Sequence, residues 1–305
     1  MPEGHTLHRL ARALDRAFAG TRPTTSSPQG RFADGAARLD GLLIERADAW
    51  GKHLFVTFEG DTILNVHLGL IGVFDVSPYA GGRTAVPPPV GAVRLRLVND
   101  SHVADLRGMT LLEIVTPEGL DAVVARLGPD PLRVGDPGND PERALARLAR
   151  TGRTIAECLM DQSVIAGIGN VYRAEVLFRH RVDPMRPGRE IRPATFLAIW
   201  DDLVQLLPVG VAFGQIITLE DQLTAARELM ASGDPSAYGV GWRGGAEGER
   251  GRGRRPAYES ASPFPREYAV YKRTGAPCLV CGSRIRTAVV AGRNLYWCGR
   301  CQRRR

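Results

Sequence analysis

The feature that most constrains the fold is a pair of CxxC motifs close to the C-terminus. Cys278 and Cys281 form the first pair, Cys298 and Cys301 form the second, and sixteen residues separate the pairs. Each pair supplies two thiolates from one turn, and two such turns close a tetrahedral zinc site. With all four positions filled by protein, we expect one structural zinc ion. The residues between the pairs would form a β-hairpin with Arg293 at its tip.

Cysteine placement and charge restrict the compartment and the partner. These four cysteines lie within the last thirty residues of the 305-residue chain, whose charged, amphipathic start is unlike a secretion signal. This pattern favours metal over disulfides. No apolar run reaches the roughly eighteen residues that a membrane helix needs, so we expect a cytoplasmic protein without a membrane span. The net charge of +7 favours a polyanionic partner but does not identify one.

The N-terminus is a candidate nucleophile. The chain begins Met-Pro-Glu-Gly-His, and removal of Met1 would leave Pro2 with a free secondary amine. Such an amine can attack a carbonyl or sugar carbon and form a cationic iminium. Glu3 stands beside it and can exchange protons at the same centre, and an amphipathic helix is predicted to follow. A plain chain start without chemistry is the alternative.

Residues 20–120 show short strand-like runs separated by Gly, Asp or Pro turns, which predicts a β-sandwich or barrel in an N-terminal domain spanning residues 1–126. Lys52 enters one strand directly after a glycine, and Leu70 and Ile71 lie between two glycines. Taken alone, such a lysine is a solvated edge charge and such apolar residues belong to the core. The predicted strands cover residues 42–44, 54–58, 63–66, 73–76 and 93–97.

A Gly- and Pro-rich segment at 127–140 indicates a hinge, and helical spacing of apolar residues runs through 141–230. Gly167, Gly169 and Asn170 stand where one helix ends and the next begins, with Asn170 as the predicted N-cap. This turn would expose backbone N–H groups at a helix N-terminus, which can bind a phosphate. A tight interhelical turn without a ligand is the alternative.

The segment 231–263 loses hydrophobic periodicity and is predicted to be a low-complexity linker. Within it, the stretch 242–256 is rich in Arg and Gly, so it either contacts a nucleic-acid backbone loosely or is simply solvated. The zinc finger then occupies 264–305, with hairpin strands expected at 285–290 and 294–297.

Together these motifs resemble those of the formamidopyrimidine-DNA glycosylase and endonuclease VIII family of bifunctional DNA glycosylases. The resemblance covers nearly the whole chain. Its motifs are the N-terminal Pro-Glu-Gly, the Gly-Lys turn at 51–52, the Gly-Ile-Gly-Asn turn at 167–170 and the zinc finger with its arginine. The first ten residues and the stretch 292–298 are most similar to the actinobacterial endonuclease VIII branch.

The resemblance implies an α+β multidomain fold: a β-sandwich with an N-terminal helix, a helix–two-turn–helix domain and a C-terminal β-hairpin zinc finger. It also implies a monomer that binds double-stranded DNA containing damaged bases or abasic sites. Pro2 is then the nucleophile that attacks C1′ of the damaged nucleotide, Glu3 the acid/base residue, and Lys52 a lysine that assists base loss and contacts a phosphate. The residues implied at the flanking phosphates are Asn170 and Arg293, with the turn glycines Gly167 and Gly169.

The residues that would fill the gap left by a flipped base favour the endonuclease VIII branch. Formamidopyrimidine glycosylases resemble one another in using a Met from one loop and an Arg and a Phe from a later segment. Here the later segment, residues 104–109, keeps Arg107 and lacks the Phe. Leu70 and Ile71 stand where endonuclease VIII proteins carry their wedge, and Gly69 replaces its first, polar member. Residues 213–221 also lack the Gly-Gly-Thr-Thr-Leu run of the purine-lesion loop, so oxidised pyrimidines are favoured.

We therefore predict a base-excision-repair enzyme that removes oxidised bases and nicks the strand by β,δ-elimination, without a redox cofactor and associated with the nucleoid when bound to DNA. A non-catalytic, zinc-containing protein of the same fold that binds damaged DNA is the main alternative. A zinc-ribbon accessory factor of transcription or translation would explain the cysteines but not the N-terminus.

Overall fold

The computed structural model of the chain describes residues 2–80, 82–233 and 262–303. It divides into two compact units, one with Pro2 and residues 6–124, the other with residues 3–5, 125–233 and 262–303. The Arg/Gly-rich stretch predicted at 242–256 lies outside the described residues. The β-sandwich, the helical domain and the hairpin zinc finger expected from the sequence are all present.

Two four-stranded antiparallel sheets build the first unit, with strand orders β1-β6-β7-β5 and β2-β3-β4-β8. Helix α1 places Leu7, Leu10, Leu14 and Phe18 at three- and four-residue spacing, so one apolar stripe joins a core shared by both sheets. The elements are α1 (Gly4–Phe18), β1 (Thr24–Ser26), α2 (Ala33–Leu39), β2 (Ile44–Trp50), β3 (His53–Phe58), β4 (Thr62–His67), β5 (Val73–Pro78), β6 (Leu95–Val98), β7 (His102–Arg107), β8 (Leu111–Val115) and α3 (Pro117–Arg126).

The predicted strand at 42–44 is wrong in extent, because β2 begins at Ile44 and runs to Trp50. Three of its central residues, Glu45, Arg46 and Asp48, are polar and exposed, and a register shift between Ile44 and Arg46 interrupts the alternation that marks a strand. The short helix α2 was also not predicted; its seven residues bury only Ala36 and Leu39, too few for a helical period to be visible in the sequence.

Helices dominate the second unit: α4 (Pro141–Leu148), α5 (Ile155–Cys158), α6 (Asn170–Arg179), α7 (Pro193–Phe213) and α8 (Glu220–Ala231). Among the described residues, α7 is a helix long and apolar enough to cross a membrane by length and composition, contrary to the sequence expectation that no such run exists. Most of its large apolar side chains are buried in the core of this unit, including Phe196, Trp200 and Leu207. The helix therefore has a structural role as a core helix.

The zinc finger is a two-stranded antiparallel hairpin of β9 (Ile285–Val290) and β10 (Arg293–Cys298). Its turn consists of Ala291 and Gly292, both with positive φ, the conformation that two-residue hairpins favour. Arg293 was expected at the tip. It instead opens β10 and pairs with Val290, one residue beyond the turn.

Candidate active site and nucleic-acid interface

Glu3 is fully buried against the N-terminus of α6. Its carboxylate accepts hydrogen bonds from the backbone N–H groups of Gly169 at 2.9 Å, Val171 at 2.8 Å and Tyr172 at 3.4 Å. These donors sit at the positive end of the helix dipole, which stabilises a negative charge. The amides that the sequence suggested for a phosphate therefore hold a carboxylate of the same chain.

The two turn glycines make this arrangement possible. A Cβ added at Gly169 would collide with the Glu3 carboxyl group. The Gly4 N–H donates to the Gly167 carbonyl at 2.7 Å, and a Cβ at Gly4 would lie 2.7 Å from the Cα of Gly167. The N-cap of α6 is Gly169, whereas Asn170, predicted to be the cap, is the first residue of the helix.

Asn170 belongs to a polar group that the sequence reasoning found only in part. Its Nδ2 donates to the Asn294 carbonyl at 3.0 Å, and its Oδ1 accepts from the guanidinium of Arg173. Burial and the Glu3 charge raise the pKa of Tyr271, whereas a hydrogen bond with Asn170 and the charge of Arg293 oppose the rise. Asn170, Arg293 and Tyr271 therefore lie within electrostatic reach of one another.

Arg173 and Tyr271 are the members of this group that sequence reasoning missed. Arg173 is fully buried, and its pKa is lowered to about 10, chiefly by burial and further by the charge of Arg293, with Glu3 acting in the opposite direction. An arginine inside a helix is normally read as an exposed charge, so nothing in the local sequence distinguishes it.

Glu175, two residues further along α6, is a second buried carboxylate. It accepts from the backbone N–H groups of Ala269 at 2.8 Å, Val270 at 2.9 Å and Tyr271 at 2.9 Å, and from the Thr218 hydroxyl at 2.9 Å. It thus fixes the segment that leads into the zinc finger. We call the group Glu3, Asn170, Arg173, Glu175, Tyr271 and Asn294 the α6 network.

Lys52 lies in the two-residue turn between β2 and β3, where Trp50 pairs with His53 and Gly51 takes a φ of 58°. Burial, followed by the charges of His53 and Lys52, lowers the pKa of His67 to about 4. Lys52 is therefore close to the end of β4, in the same unit as Pro2.

Leu70 and Ile71 are not core residues. The two residues are 51% and 81% exposed, at the tip of residues 68–72, which we call the apolar loop. Arg107, predicted to contact DNA, forms ion pairs of 3.2 Å with Asp75 and Asp105 within its own unit. A contact between Arg107 and DNA stays a prediction.

The four cysteines fit one structural zinc ion. Their Sγ atoms all lie within 4.8 Å of one another, with 3.9 Å between Cys278 and Cys301 and 3.4 Å between Cys281 and Cys298. Four thiolates about 2.3 Å from a tetrahedral zinc ion would be separated by about 3.8 Å. The donor set leaves no position for substrate. The metal would therefore hold the hairpin and supply no chemistry of its own.

The sequence matches three known domains in the order in which they occur along this chain. Residues 1–111 match the formamidopyrimidine-DNA glycosylase N-terminal domain, 127–221 the formamidopyrimidine-DNA glycosylase H2TH domain, and 275–304 the zinc finger found in FPG and IleRS. Together these matches cover both units and the hairpin.

Whole-chain similarity agrees with the domain matches. Endonuclease 8 1 of Mycobacterium tuberculosis is 45% identical over 309 residues, covering 99% of this chain and 100% of that protein. Formamidopyrimidine-DNA glycosylase of Rhodospirillum rubrum is 29% identical over 319 residues, covering 99% and 100%. The Lactococcus lactis Fpg in complex with abasic-site DNA shares the fold, with a TM-score of 0.75, 19% identity, and coverage of 99% and 100%.

The three matched domains in this order and the whole-chain similarity are those of a DNA repair glycosylase. The chain belongs to the formamidopyrimidine-DNA glycosylase and endonuclease VIII family, whose members are DNA glycosylases with lyase activity at abasic sites.

Proposed function

We propose that this enzyme removes oxidised pyrimidines from double-stranded chromosomal DNA and nicks the strand by β,δ-elimination, with Pro2 as the nucleophile. The observation that carries the proposal is the anchoring of Glu3. Three backbone amides fix this carboxylate at the start of α6. Because Pro2 is bonded directly to Glu3, anchoring Glu3 limits where the terminal amine can lie, and a fixed nucleophile needs less ordering to reach its target.

The chemistry follows from the secondary amine. The nitrogen lone pair attacks C1′, the C1′–N bond to the base breaks, and the base leaves with a proton. Opening of the sugar ring then gives a C1′ iminium, which withdraws electrons and makes the C2′ proton acidic. Loss of that proton expels the 3′ phosphate, a second elimination expels the 5′ phosphate, and water hydrolyses the iminium to release Pro2. Glu3 and Lys52 exchange protons with the sugar during these steps.

The α6 network and its neighbours are proposed to hold the DNA backbone. Asn170 is the first residue of α6, and Arg293 brings a positive charge close to it. A neutral amide and a guanidinium together suit a phosphate oxygen and contribute affinity without base specificity. Gly167 and Gly169 act indirectly in this scheme, because Gly169 leaves space for the Glu3 carboxyl group and the Gly167 carbonyl accepts from the Gly4 N–H.

The apolar loop is proposed to fill the space that the extruded base leaves. Apolar wedges inserted between base steps are an established way of opening a DNA stack, and a damaged base leaves the stack more easily than a paired one. Leu70 and Ile71 offer only aliphatic surface, and the absence of the purine-lesion run at 213–221 supports pyrimidine substrates.

A panel of duplex oligonucleotides tests the proposal directly. Each carries one thymine glycol, dihydrouracil, 8-oxoguanine or abasic site, and incision is followed on a denaturing gel. We expect incision at both pyrimidine lesions and at the abasic site, slower incision at 8-oxoguanine, and phosphates at both ends of the gap. Preference for 8-oxoguanine would contradict the substrate class. A 3′ unsaturated aldehyde as the final product would contradict δ-elimination.

A further inference from the structure

We propose that His67 is a positioning residue, whose neutral imidazole fixes the apolar loop before DNA arrives by accepting a hydrogen bond from the Gly69 N–H. The inference rests on the proposed role of Leu70 and Ile71 in filling the gap. It adds the group that holds them in place.

The bond from the Gly69 N–H requires one of the two neutral tautomers of the ring. His67 ends β4, and its Nδ1 lies 3.0 Å from the backbone nitrogen of Gly69. Because that nitrogen can only donate, Nδ1 must carry a lone pair, and the single proton of the neutral ring must sit on Nε2. The Thr110 hydroxyl lies 3.0 Å from Nδ1 and donates to the His67 carbonyl at 3.0 Å.

The surroundings keep the ring neutral at physiological pH. Burial, followed by the charges of His53 and Lys52, lowers the pKa of His67 to about 4. The His53 ring packs edge-on against His67 with 5.2 Å between centroids. Protonation would place an N–H on Nδ1, pointing at the N–H of Gly69, and the bond would be replaced by a repulsion.

The rest of the loop leaves little freedom once this bond is made. Gly72 donates to the Leu68 carbonyl at 3.0 Å, which closes the loop at its base. Gly69 has a φ of 67°, and a Cβ added there would collide with the side chain of Thr110. On the other side of the loop, Gly108 lies against the backbone of Ile71. A Cβ added to Gly108 would be 3.3 Å from the Ile71 carbonyl oxygen.

This arrangement is unexpected for a surface turn that only connects two strands. The loop backbone is fixed by a side chain from the preceding strand. The two largest side chains at the loop tip nevertheless remain exposed, so the ordered backbone does not serve to bury them within their own unit. Ordering a loop in advance removes an entropic cost that insertion into DNA would otherwise carry. A rigid loop with an exposed apolar tip therefore fits a wedge.

Two isosteric substitutions separate the nitrogen atoms of the ring. His67→Asn keeps an acceptor near the Nδ1 position, whereas His67→Gln places its amide near Nε2 and leaves Gly69 without an acceptor. In the free protein, hydrogen exchange of the Gly69 amide should stay close to that of the unchanged protein in His67→Asn. It should be faster by about tenfold in His67→Gln, which corresponds to one hydrogen bond.

The same pair is then assayed on DNA, with Leu70→Ala as the reference for loss of the wedge. Excision of dihydrouracil from a duplex should fall by about tenfold in His67→Gln and little in His67→Asn. Cleavage of a preformed abasic site in single-stranded DNA, which needs no base extrusion, should change little in either. The fluorescence of a 2-aminopurine beside the lesion, which rises on unstacking, should rise more slowly in His67→Gln.

Two results would overturn the inference. If His67→Gln keeps duplex excision and His67→Asn loses it, Nε2 acts on the DNA and the loop bond is incidental. If both variants leave Gly69 exchange unchanged, the bond does not hold the loop. A failure of the proposed wedge looks different, because Leu70→Ala would then excise normally while Gly69 exchange still responded to His67→Gln.

Discussion

The apolar loop and the α6 network are held in place in opposite ways. The loop is closed mainly over a short stretch, where His67 accepts a bond from Gly69 and Gly72 donates to Leu68. Thr110 supports it from the turn before β8, 43 positions from His67. The α6 network joins distant parts of the sequence. It links Glu3 to Gly169 and Val171, Asn170 to Asn294, and Glu175 to residues 269–271.

The difference predicts how each region responds to a substitution. A substitution in the loop should disturb only the structure of the loop, because most of its bonds are local and its tip is exposed to solvent. A defect in the α6 network should spread, because each buried carboxylate satisfies several backbone donors at once. Leaving such donors without an acceptor costs more than losing an exposed bond.

The largest effect is expected when the zinc site is broken. Cys298→Ser removes one of the four thiolates, and a hairpin this small has little core of its own without the metal. Zinc content should fall, and hydrogen exchange in β9 and β10 should become fast, while the β-sandwich stays protected. DNA binding should fall together with zinc content, because Arg293 and Asn294 stand on that hairpin.

Cys158→Ser is the matched control for this prediction, since it changes a buried cysteine outside the zinc site. It should leave zinc content unaltered. Equal zinc loss in both variants would contradict the assignment of Cys298 as a zinc ligand. Full DNA binding by a zinc-free protein would show that DNA binding does not depend on a hairpin held by the metal.

Glu175→Gln should have the next largest effect. The new amide group would face backbone N–H groups that now donate to a carboxylate, and the helical unit should lose on the order of 3 kcal/mol of stability. Glu113→Gln in the β-sandwich is the control, because Glu113 accepts a bond from Asn65 that a glutamine oxygen can still accept. Unfolding followed by residue-resolved hydrogen exchange measures both, and similar small losses would contradict the comparison.

Arg293→Ala should have the smallest effect of the three, and only on binding. It removes one or two charge-assisted bonds to phosphate, on the order of 2 kcal/mol, without altering zinc content. The affinities for damaged and for undamaged DNA should fall by similar factors, and the slope of log affinity against log salt should become shallower by about one. Arg300→Ala removes the same charge from an exposed position on the zinc finger. It should neither weaken DNA binding nor change the salt slope. A changed choice among lesions would mean that Arg293 contacts a base.

The sequence predicted those parts of the site that depend on local chemistry. Two CxxC pairs specify a tetrahedral thiolate site through ligand spacing alone, and glycines mark the turns at Lys52 and at Asn170. The N-terminal Pro-Glu pair was identified because a secondary amine beside a carboxylate has recognisable chemistry. These predictions needed no knowledge of which distant residues meet.

The parts that were missed depend on contacts between residues that are distant in the sequence. The turn before α6 was predicted to bind an anion, but Glu3 lies more than 160 positions away in the chain, and no periodicity relates the two. Arg173 and Glu175 look like exposed helix charges until burial is known. By hydrophobicity alone Leu70 and Ile71 look like core residues, because it does not show which way a tight turn points, and only the family resemblance assigned them to a wedge.

The central claim is that the amine of Pro2 attacks the sugar, and borohydride trapping tests it most directly. Borohydride reduces an iminium to a stable amine, so the protein should become covalently linked to an abasic-site oligonucleotide, and mass spectrometry should locate the link at Pro2. Pro2→Gly keeps an amine but loses the ring, and trapping should fall strongly. A form that retains Met1 should not trap at all. Trapping of Pro2→Gly at the wild-type rate, or a link at Lys52, would contradict the assignment.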